Sequence, residues 1–183
     1  MQIKKTKIPG CFNINLYKLE DDRGAFVKTF HEEHFKQFGF KTNFVEEYYS
    51  YSIQRVIRGL HFQIPPMDHT KLVYCAYGEL MDAVVDLRIG SPTYRSYEVV
   101  ELNSKKGNLL YIPPGLAHGF AVLSKEAVVV YNVTSVYSSE YDKGILWNSA
   151  GIPWPYKEPI VSERDKMFKS LDEFDSPFIF KAD

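Results

Sequence analysis

Arg58-Gly59-Leu60-His61-Phe62-Gln63 and Ile112-Pro113-Pro114-Gly115-Leu116-Ala117-His118 decide the reading of this chain. Each carries one histidine where a short strand meets a tight corner shaped by glycine or proline. The two stretches lie far apart in a sequence rich in strand formers. In a β-barrel, strand ends distant in sequence converge on one cavity. Two histidines, Arg58 and Lys71 would then line a pocket suited to proton transfer on an anionic substrate.

Outward from these stretches the chain reads as strands. Residues 12–19 alternate (Phe12, Ile14 and Leu16 against Asn13 and Asn15) and predict a strand, and Asp21-Asp22-Arg23-Gly24 predicts a turn. Residues 31–38 predict a short helix stopped at Gly39. Further strands are predicted at 44–51, 71–77, 79–87, 95–102, 108–112, 119–123 and 126–137, separated by Gly78-Glu79, Gly90-Ser91-Pro92 and Ser124-Lys125. Ser162-Glu163-Arg164-Asp165 has the pattern of a capping box and predicts a C-terminal helix reaching about Phe174. Strands at this spacing predict an all-β, mainly antiparallel sandwich or barrel with short helices in its N-terminal part and at the C-terminus. No repeat, low-complexity tract or linker interrupts it, so residues 1–183 read as a single domain.

Composition narrows the function classes. The chain has 183 residues, 45% hydrophobic and 15% aromatic, enough for a substantial sheet-built core. A formal net charge of -1 argues against nucleic acid or an anionic membrane surface as a partner. Any anionic ligand must be held by a few local Arg or Lys side chains. Cys11 and Cys75 lie far apart without a CxxC, which fits a reduced, cytoplasmic setting. No apolar run approaches membrane-spanning length, and Met1-Gln2-Ile3-Lys4-Lys5 lacks a signal-peptide core.

Gly107-x5-Pro113-x-Gly115-x2-His118 resembles the second signature of the cupin jelly roll, in which glycine and proline shape the corner and the histidine points into the barrel mouth. The first cupin signature needs a His-x-His pair followed by Glu as metal ligands. Here that place reads His61-Phe62-Gln63, and Val122 stands where a metal cupin often has Asn. Histidines without a carboxylate at ligand spacing make a poor first-row metal site, so a metal-free cupin is expected.

The resemblance then becomes specific. Asp22-Arg23-Gly24, Arg58-Gly59-Leu60-His61-Phe62-Gln63, Lys71-Leu72-Val73, Asp86-Leu87-Arg88 with Gly90-Ser91-Pro92-Thr93, Ala117-His118-Gly119-Phe120, Tyr131, Tyr137, Gly144-Ile145-Leu146-Trp147-Asn148 and Ile152-Pro153-Trp154-Pro155 run in the order of the dTDP-4-dehydrorhamnose 3,5-epimerase family. The chain resembles that family, or a relative acting on a GDP-linked 4-keto sugar. The resemblance implies a cupin-type jelly-roll barrel, a homodimer with strands exchanged across its interface, a nucleotide-sugar substrate and no cofactor. It implies inversion of C3, C5 or both in a nucleotide-diphosphate-linked 4-keto-6-deoxy hexose or heptose, within bacterial capsule or O-antigen sugar biosynthesis. The carbonyl of such a sugar acidifies the hydrogens on C3 and C5, so inversion needs a base, an enolate stabiliser and an acid on the opposite face.

The resemblance assigns His61 as the base, and an imidazole suits that work because it titrates near working pH. It assigns Asp165 as the carboxylate that orients His61, Tyr131 as the acid, and Lys71 and His118 as neighbours of the carbonyl. Arg23 and Arg58 are the implied diphosphate contacts. Gln63 and Tyr137 are expected on the substrate-binding surface, whereas His31, His34 and His69 read as surface or turn residues.

The departures from the family pattern concern the pocket. Members acting on dTDP sugars commonly read Phe-Val-Gln-x-Asn-x-Ser where this chain has Phe44-Val45-Glu46-Glu47-Tyr48-Tyr49-Ser50. Asp68-His69-Thr70 precedes Lys71 where many relatives have a smaller Gln-Gly or Gln-Ala, and Asn132 follows Tyr131 where Lys is common. A carboxylate at 46 loses an amide's donors and repels an anion, and a tyrosine at 48 adds bulk, so Glu46 and Tyr48 imply a changed ligand surface. Three rivals stand beside the epimerase. A silent sugar-nucleotide-binding cupin conflicts with the presence of His61, Lys71 and Tyr131. A metal cupin oxygenase lacks its ligands, and a 3,4-ketoisomerase differs in moving the carbonyl.

Overall fold

The computed structural model describes residues 1–181. In chain order the strands are β1 (Gln2–Lys5), β2 (Phe12–Asn15), β3 (Lys18–Asp21), β4 (Gly24–Val27), β5 (Glu46–Ile53), β6 (Ile57–Gln63), β7 (Lys71–Tyr77), β8 (Glu79–Asp86), β9 (Tyr97–Asn103), β10 (Asn108–Ile112), β11 (Leu116–Val122), β12 (Glu126–Val133) and β13 (Asp142–Gly144). Two short α-helices, α1 (Glu32–Gln37) and α2 (Glu163–Lys166), and a 3-10 turn at Leu171–Glu173 complete the described elements. One sheet has six strands in the order β1-β2-β10-β7-β12-β5 and a second has five, β13-β6-β11-β8-β9. All strand pairings in both are antiparallel, as the sequence predicts.

Alternation explains how the sheets face each other. In β12 the buried positions are Ala127, Val129, Tyr131 and Val133, every second residue. Ala127, Val129 and Tyr131 meet Val84, Leu102 and Phe120 of the five-stranded sheet in one core. By contrast, every residue of β11 is buried. It lies between β6 and β8, and the outer face of its sheet is covered by Ile145, Ile152, Leu171 and Phe178 from the C-terminal part. On the far side of the six-stranded sheet, α1 lays Phe35 against Ile14, Leu72 and Leu109. Each fully buried leucine here contributes about 1.5–3 kcal/mol of hydrophobic stabilisation.

Backbone packing fixes the relation between β6 and β11. An added Cβ at Gly59 would lie 2.6 Å from Gly119 Cα, and one at Gly119 would lie 2.5 Å from Arg58 O. Two glycines therefore let the strands close up around a register shift between His118 and Phe120, which sets His118 directly opposite His61.

Three predicted elements are corrected. The strand expected over 12–19 breaks at Leu16, whose N–H binds Gly107 O, and the chain then re-enters the separate hairpin of β3 and β4. The strand expected over 126–137 ends at Val133, and the following loop crosses the cavity described below. The helix expected to reach Phe174 stops after four residues. Phe168 is drawn out of it to sit against Gly144, where a Cβ would be 2.3 Å from its ring, and Ser170 starts a new capped turn.

Candidate active site

A cavity of about 370 Å³ opens between the two sheets. The five-stranded sheet supplies His61 and Gln63 from β6, His118 from β11 and Asp142 from β13. Facing them, the six-stranded sheet supplies Lys71 from β7, Tyr131 from β12, and Glu46, Tyr48 and Ser50 from β5. Period-2 alternation selects residues 46, 48 and 50 together, and leaves Tyr49, Tyr51 and Ile53 exposed on the outer side.

His61 Nε2 donates to Asp165 Oδ1 at 2.7 Å, and the other carboxylate oxygen accepts from Gly59 N–H at 3.1 Å. Burial raises the Asp165 pKa, but the hydrogen bonds from His61 and Gly59 outweigh it and hold the carboxyl below its ordinary range. An ionised Asp165 fixes the Nε2–H tautomer and leaves His61 Nδ1 as a bare lone pair. The Ser162 side chain accepts from Asp165 N–H at 3.1 Å, so the predicted cap exists, while the Asp165 carboxylate turns away from it toward His61.

A second histidine–carboxylate pair sits beside the first. His118 Nε2 donates to Asp82 Oδ2 at 2.8 Å, both groups being buried. Burial raises the Asp82 pKa against the pull of His118 and Lys71. Lys71 Nζ donates to His61 O at 3.3 Å. Its burial pulls its pKa down from 10.5 to about 8, opposed by Asp142 and Asp82. The ammonium form therefore predominates below about pH 8 and is lost above it. If the reaction uses that charge, the rate should fall along a basic limb near pH 8. A Lys71→Arg variant should push this limb upward, and a pH–rate profile identical in the two proteins would exclude Lys71 as its source.

Across the cavity, Tyr131 is buried and shares a hydrogen bond with Ser50 Oγ at 3.4 Å. Burial drives its pKa upward, with the Ser50 contact only partly opposing, so the phenol is protonated and available as a proton donor. Its ring lies edge-on to His118 at 6.1 Å and stacks on Tyr48 at 4.8 Å. Arg58 lines the cavity with its Nε donating to Ser52 Oγ at 2.9 Å.

Most of the residues named from sequence are brought together: His61, Lys71, His118, Tyr131, Arg58, Gln63, Glu46, Tyr48 and Tyr137 line the cavity, and Asp165 holds His61 from behind. Gln63 lines it with its amide already committed, to Met67 O, Val136 O and the Ser138 N–H. Glu46 Oε2 accepts from Tyr137 N–H at 2.6 Å, which ties β5 to the loop after β12. Arg23 is the exception. It lies in the turn between β3 and β4, pairs with Asp21 at 2.6 Å, and its side chain is 90% exposed. His69, expected as a surface or turn residue, instead lines the cavity beside Gln63 and Ser135, and desolvation pulls its pKa down to about 3. Sequence reasoning also passed over Asp82 and Asp142, which stand in no motif, and gave no role to Ser50 and Arg164, although both lie in stretches quoted above. Among the described residues, no group of three or more His, Cys, Asp or Glu side chains is disposed as metal ligands.

Residues 5–173 match the family model described as dTDP-4-dehydrorhamnose 3,5-epimerase. The chain belongs to that family. It is 40% identical to the dTDP-4-dehydrorhamnose 3,5-epimerase of Shigella flexneri, over 90% of this chain and 93% of the relative. The crystal structure of dTDP-6-deoxy-D-glucose-3,5-epimerase RmlC from Legionella pneumophila, in complex with dTDP-4-keto-L-rhamnose, superposes with a TM-score of 0.93 at 32% identity, covering 99% of each chain. That of the Bacillus anthracis dTDP-4-dehydrorhamnose 3,5-epimerase, with TDP and PPi bound, superposes at 0.90 and 35% identity, covering 93% of this chain and 99% of the other. The chain is an enzyme of the epimerase class with the cupin-like, mainly antiparallel fold of these proteins. No helix among the described residues is long and apolar enough to cross a membrane.

Proposed function

We propose that this epimerase inverts C3, C5 or both of a nucleoside-diphosphate-linked 4-keto-6-deoxy sugar through an enolate. One observation carries the reading: His61, backed by Asp165, and Tyr131 stand on opposite sheets and face one cavity. A sugar held between them presents one ring face to a base and the other to an acid. His61 Nδ1 takes the proton next to the carbonyl, and the C–H electrons move into the enolate on the C4 oxygen. Lys71 and the His118–Asp82 pair favour that charge. The Tyr131 O–H bond then breaks as a C–H bond forms on the far face and the carbonyl returns. Imidazolium and phenolate reset through solvent.

The test is NMR in D2O with 4-keto-6-deoxy sugar nucleotides. H3, H5 or both should wash out with inversion, at a rate unchanged by prior dialysis against EDTA. Absence of wash-out on every dTDP- and GDP-linked sugar supplied would remove the reading, and rescue of EDTA-treated protein by a divalent ion would remove its metal-free form.

Substrate choice within this class turns on β5. The relatives named above carry dTDP sugars in their names, which supports that nucleotide class. Glu46 and Tyr48 nevertheless bring a carboxylate and a large ring to the cavity wall. Recognition is a difference of affinities, so a ligand served by amide donors is disfavoured there. We therefore expect dTDP-4-keto-6-deoxyglucose to be turned over with lower kcat/KM than a GDP-linked 4-keto sugar, hexose or heptose. Glu46→Gln should raise the dTDP value by about tenfold, near 1.4 kcal/mol. A dTDP substrate running as fast as every GDP sugar in side-by-side assays would end this idea.

The position of Arg23 fits the same reading in a homodimer. The β3–β4 hairpin belongs to neither large sheet and exposes Leu19 and Phe26. Strands exchanged between two copies would bury those side chains and give Arg23 a diphosphate to meet in its partner's cavity. A chain that sediments as a monomer at working concentration would exclude this arrangement.

A further inference from the structure

Tyr131 is the only acid assigned to the far face, yet little fixes the direction of its hydroxyl. The Ser50 contact is long at 3.4 Å, beyond the ordinary range for a hydroxyl pair, and His118 meets only the ring edge. The close neighbour is Tyr48. It stands opposite Tyr131 in the β5–β12 register, on the same inner face, with centroids 4.8 Å apart and planes 17° from parallel. Tyr48 is itself 41% exposed, so its ring is stacked on the acid on one side while the side chain also lines the cavity and reaches solvent. Among the described residues its hydroxyl makes no side-chain hydrogen bond, and the stacked ring is the part that meets Tyr131.

The enolate has two fates. Protonation by Tyr131 from the far face gives inversion. Return of a proton by the His61 imidazolium gives back the starting configuration, and His61 is exposed enough (31% of its side chain) to trade that proton for solvent deuterium first. The ratio of inversion to exchange therefore reports how well the phenol is placed. We infer that Tyr48 is a positioning residue whose stacked ring holds Tyr131 for far-face protonation and so sets the partition between inversion and same-face return. This rests on the proposed epimerase reading. Aromatic pairs of this kind bias a conformational equilibrium by about 2- to 12-fold, a range that partition can register directly.

The experiment compares Tyr48→Phe, Tyr48→Asn and Tyr48→Leu with the parent enzyme in D2O at saturating substrate, so that altered affinity drops out. Two rates are followed by NMR: deuterium uptake into recovered starting sugar, and appearance of the inverted sugar. The phenylalanine variant keeps the stacked ring and should keep the parent ratio. The asparagine and leucine variants should lower the inversion-to-exchange ratio about tenfold while uptake persists. Leucine preserves an apolar contact, so it serves should asparagine unfold the protein. Inversion and uptake falling together, a ratio unchanged in both ringless variants, or a ratio lost equally in the phenylalanine variant would each overturn the inference. Failure of the parent enzyme to take up deuterium would instead overturn the epimerase reading itself, and the positioning role with it.

Discussion

His61→Asn is expected to slow solvent exchange at C3 and C5 by about 10²–10⁴-fold, the usual worth of a positioned general base. Asparagine is polar but its amide reaches only to the level of Nδ1, so the Asp165 Oδ1 contact is lost; the Gly59 N–H still holds the other oxygen at 3.1 Å, and β6 with its glycine corner should hold. Binding of a nonreactive 6-deoxyglucose nucleotide, measured by calorimetry, should change little. Near-normal deuterium uptake in this variant would sink the assignment. Asp165→Asn tests the same unit from the other side. An amide there can donate to Nε2 and favour the tautomer that puts a hydrogen on Nδ1, where the base needs a lone pair. Its rate should fall further than its affinity.

Tyr131→Phe should behave differently in kind. The base remains, so deuterium still enters the recovered starting sugar, but the far face has no phenol to supply a proton. Inversion should drop by about 10²–10⁴-fold while exchange survives, a split that loss of the base cannot produce. The packing supports this reading of the variant: Phe keeps the ring against Tyr48 and His118 and loses only the weak Ser50 contact. Equal losses of inversion and exchange would place Tyr131 outside the proton path.

How much of this was legible in the sequence depends on distance along the chain. Most of the long strands were, because alternation and turn residues are local signals and β12 buries every second residue, whereas the short β1, β4 and β13 carry no such signal and went unread. His61 and His118 were legible through their Gly/Pro corners and the family order around them. Asp165 was legible only through the family, since its local pattern is that of a helix cap. Both roles are met, the backbone N–H by Ser162 and the carboxylate by His61. Asp82 and Asp142 gave no signal, and Ser50 no role, because each acquires its meaning from a partner on another element: His118, Arg164 and Tyr131 respectively. The end of α2 was misjudged for a similar reason. Its sequence continues to favour helix, but the slot over Gly144 takes Phe168 and the chain follows. His69 looked like a turn residue until the loop that carries it folded over the cavity.

The glycine contact between β6 and β11 has a consequence for how such an enzyme can change. Any side chain at Gly59 or Gly119 collides with the neighbouring backbone, so drift at these two positions is blocked and the histidine wall is held rigid. At the edge of the six-stranded sheet, β5 pairs with β12 alone among the described strands, and carries inner positions 46, 48, 50 and 52. New substrates are therefore most readily acquired by changing position 46 of that outermost strand, because positions 48 and 50 touch Tyr131 and would alter the placement of the acid as well. A designer seeking altered sugar range would do well to randomise Glu46 and leave Tyr48, Ser50 and the glycine corner alone.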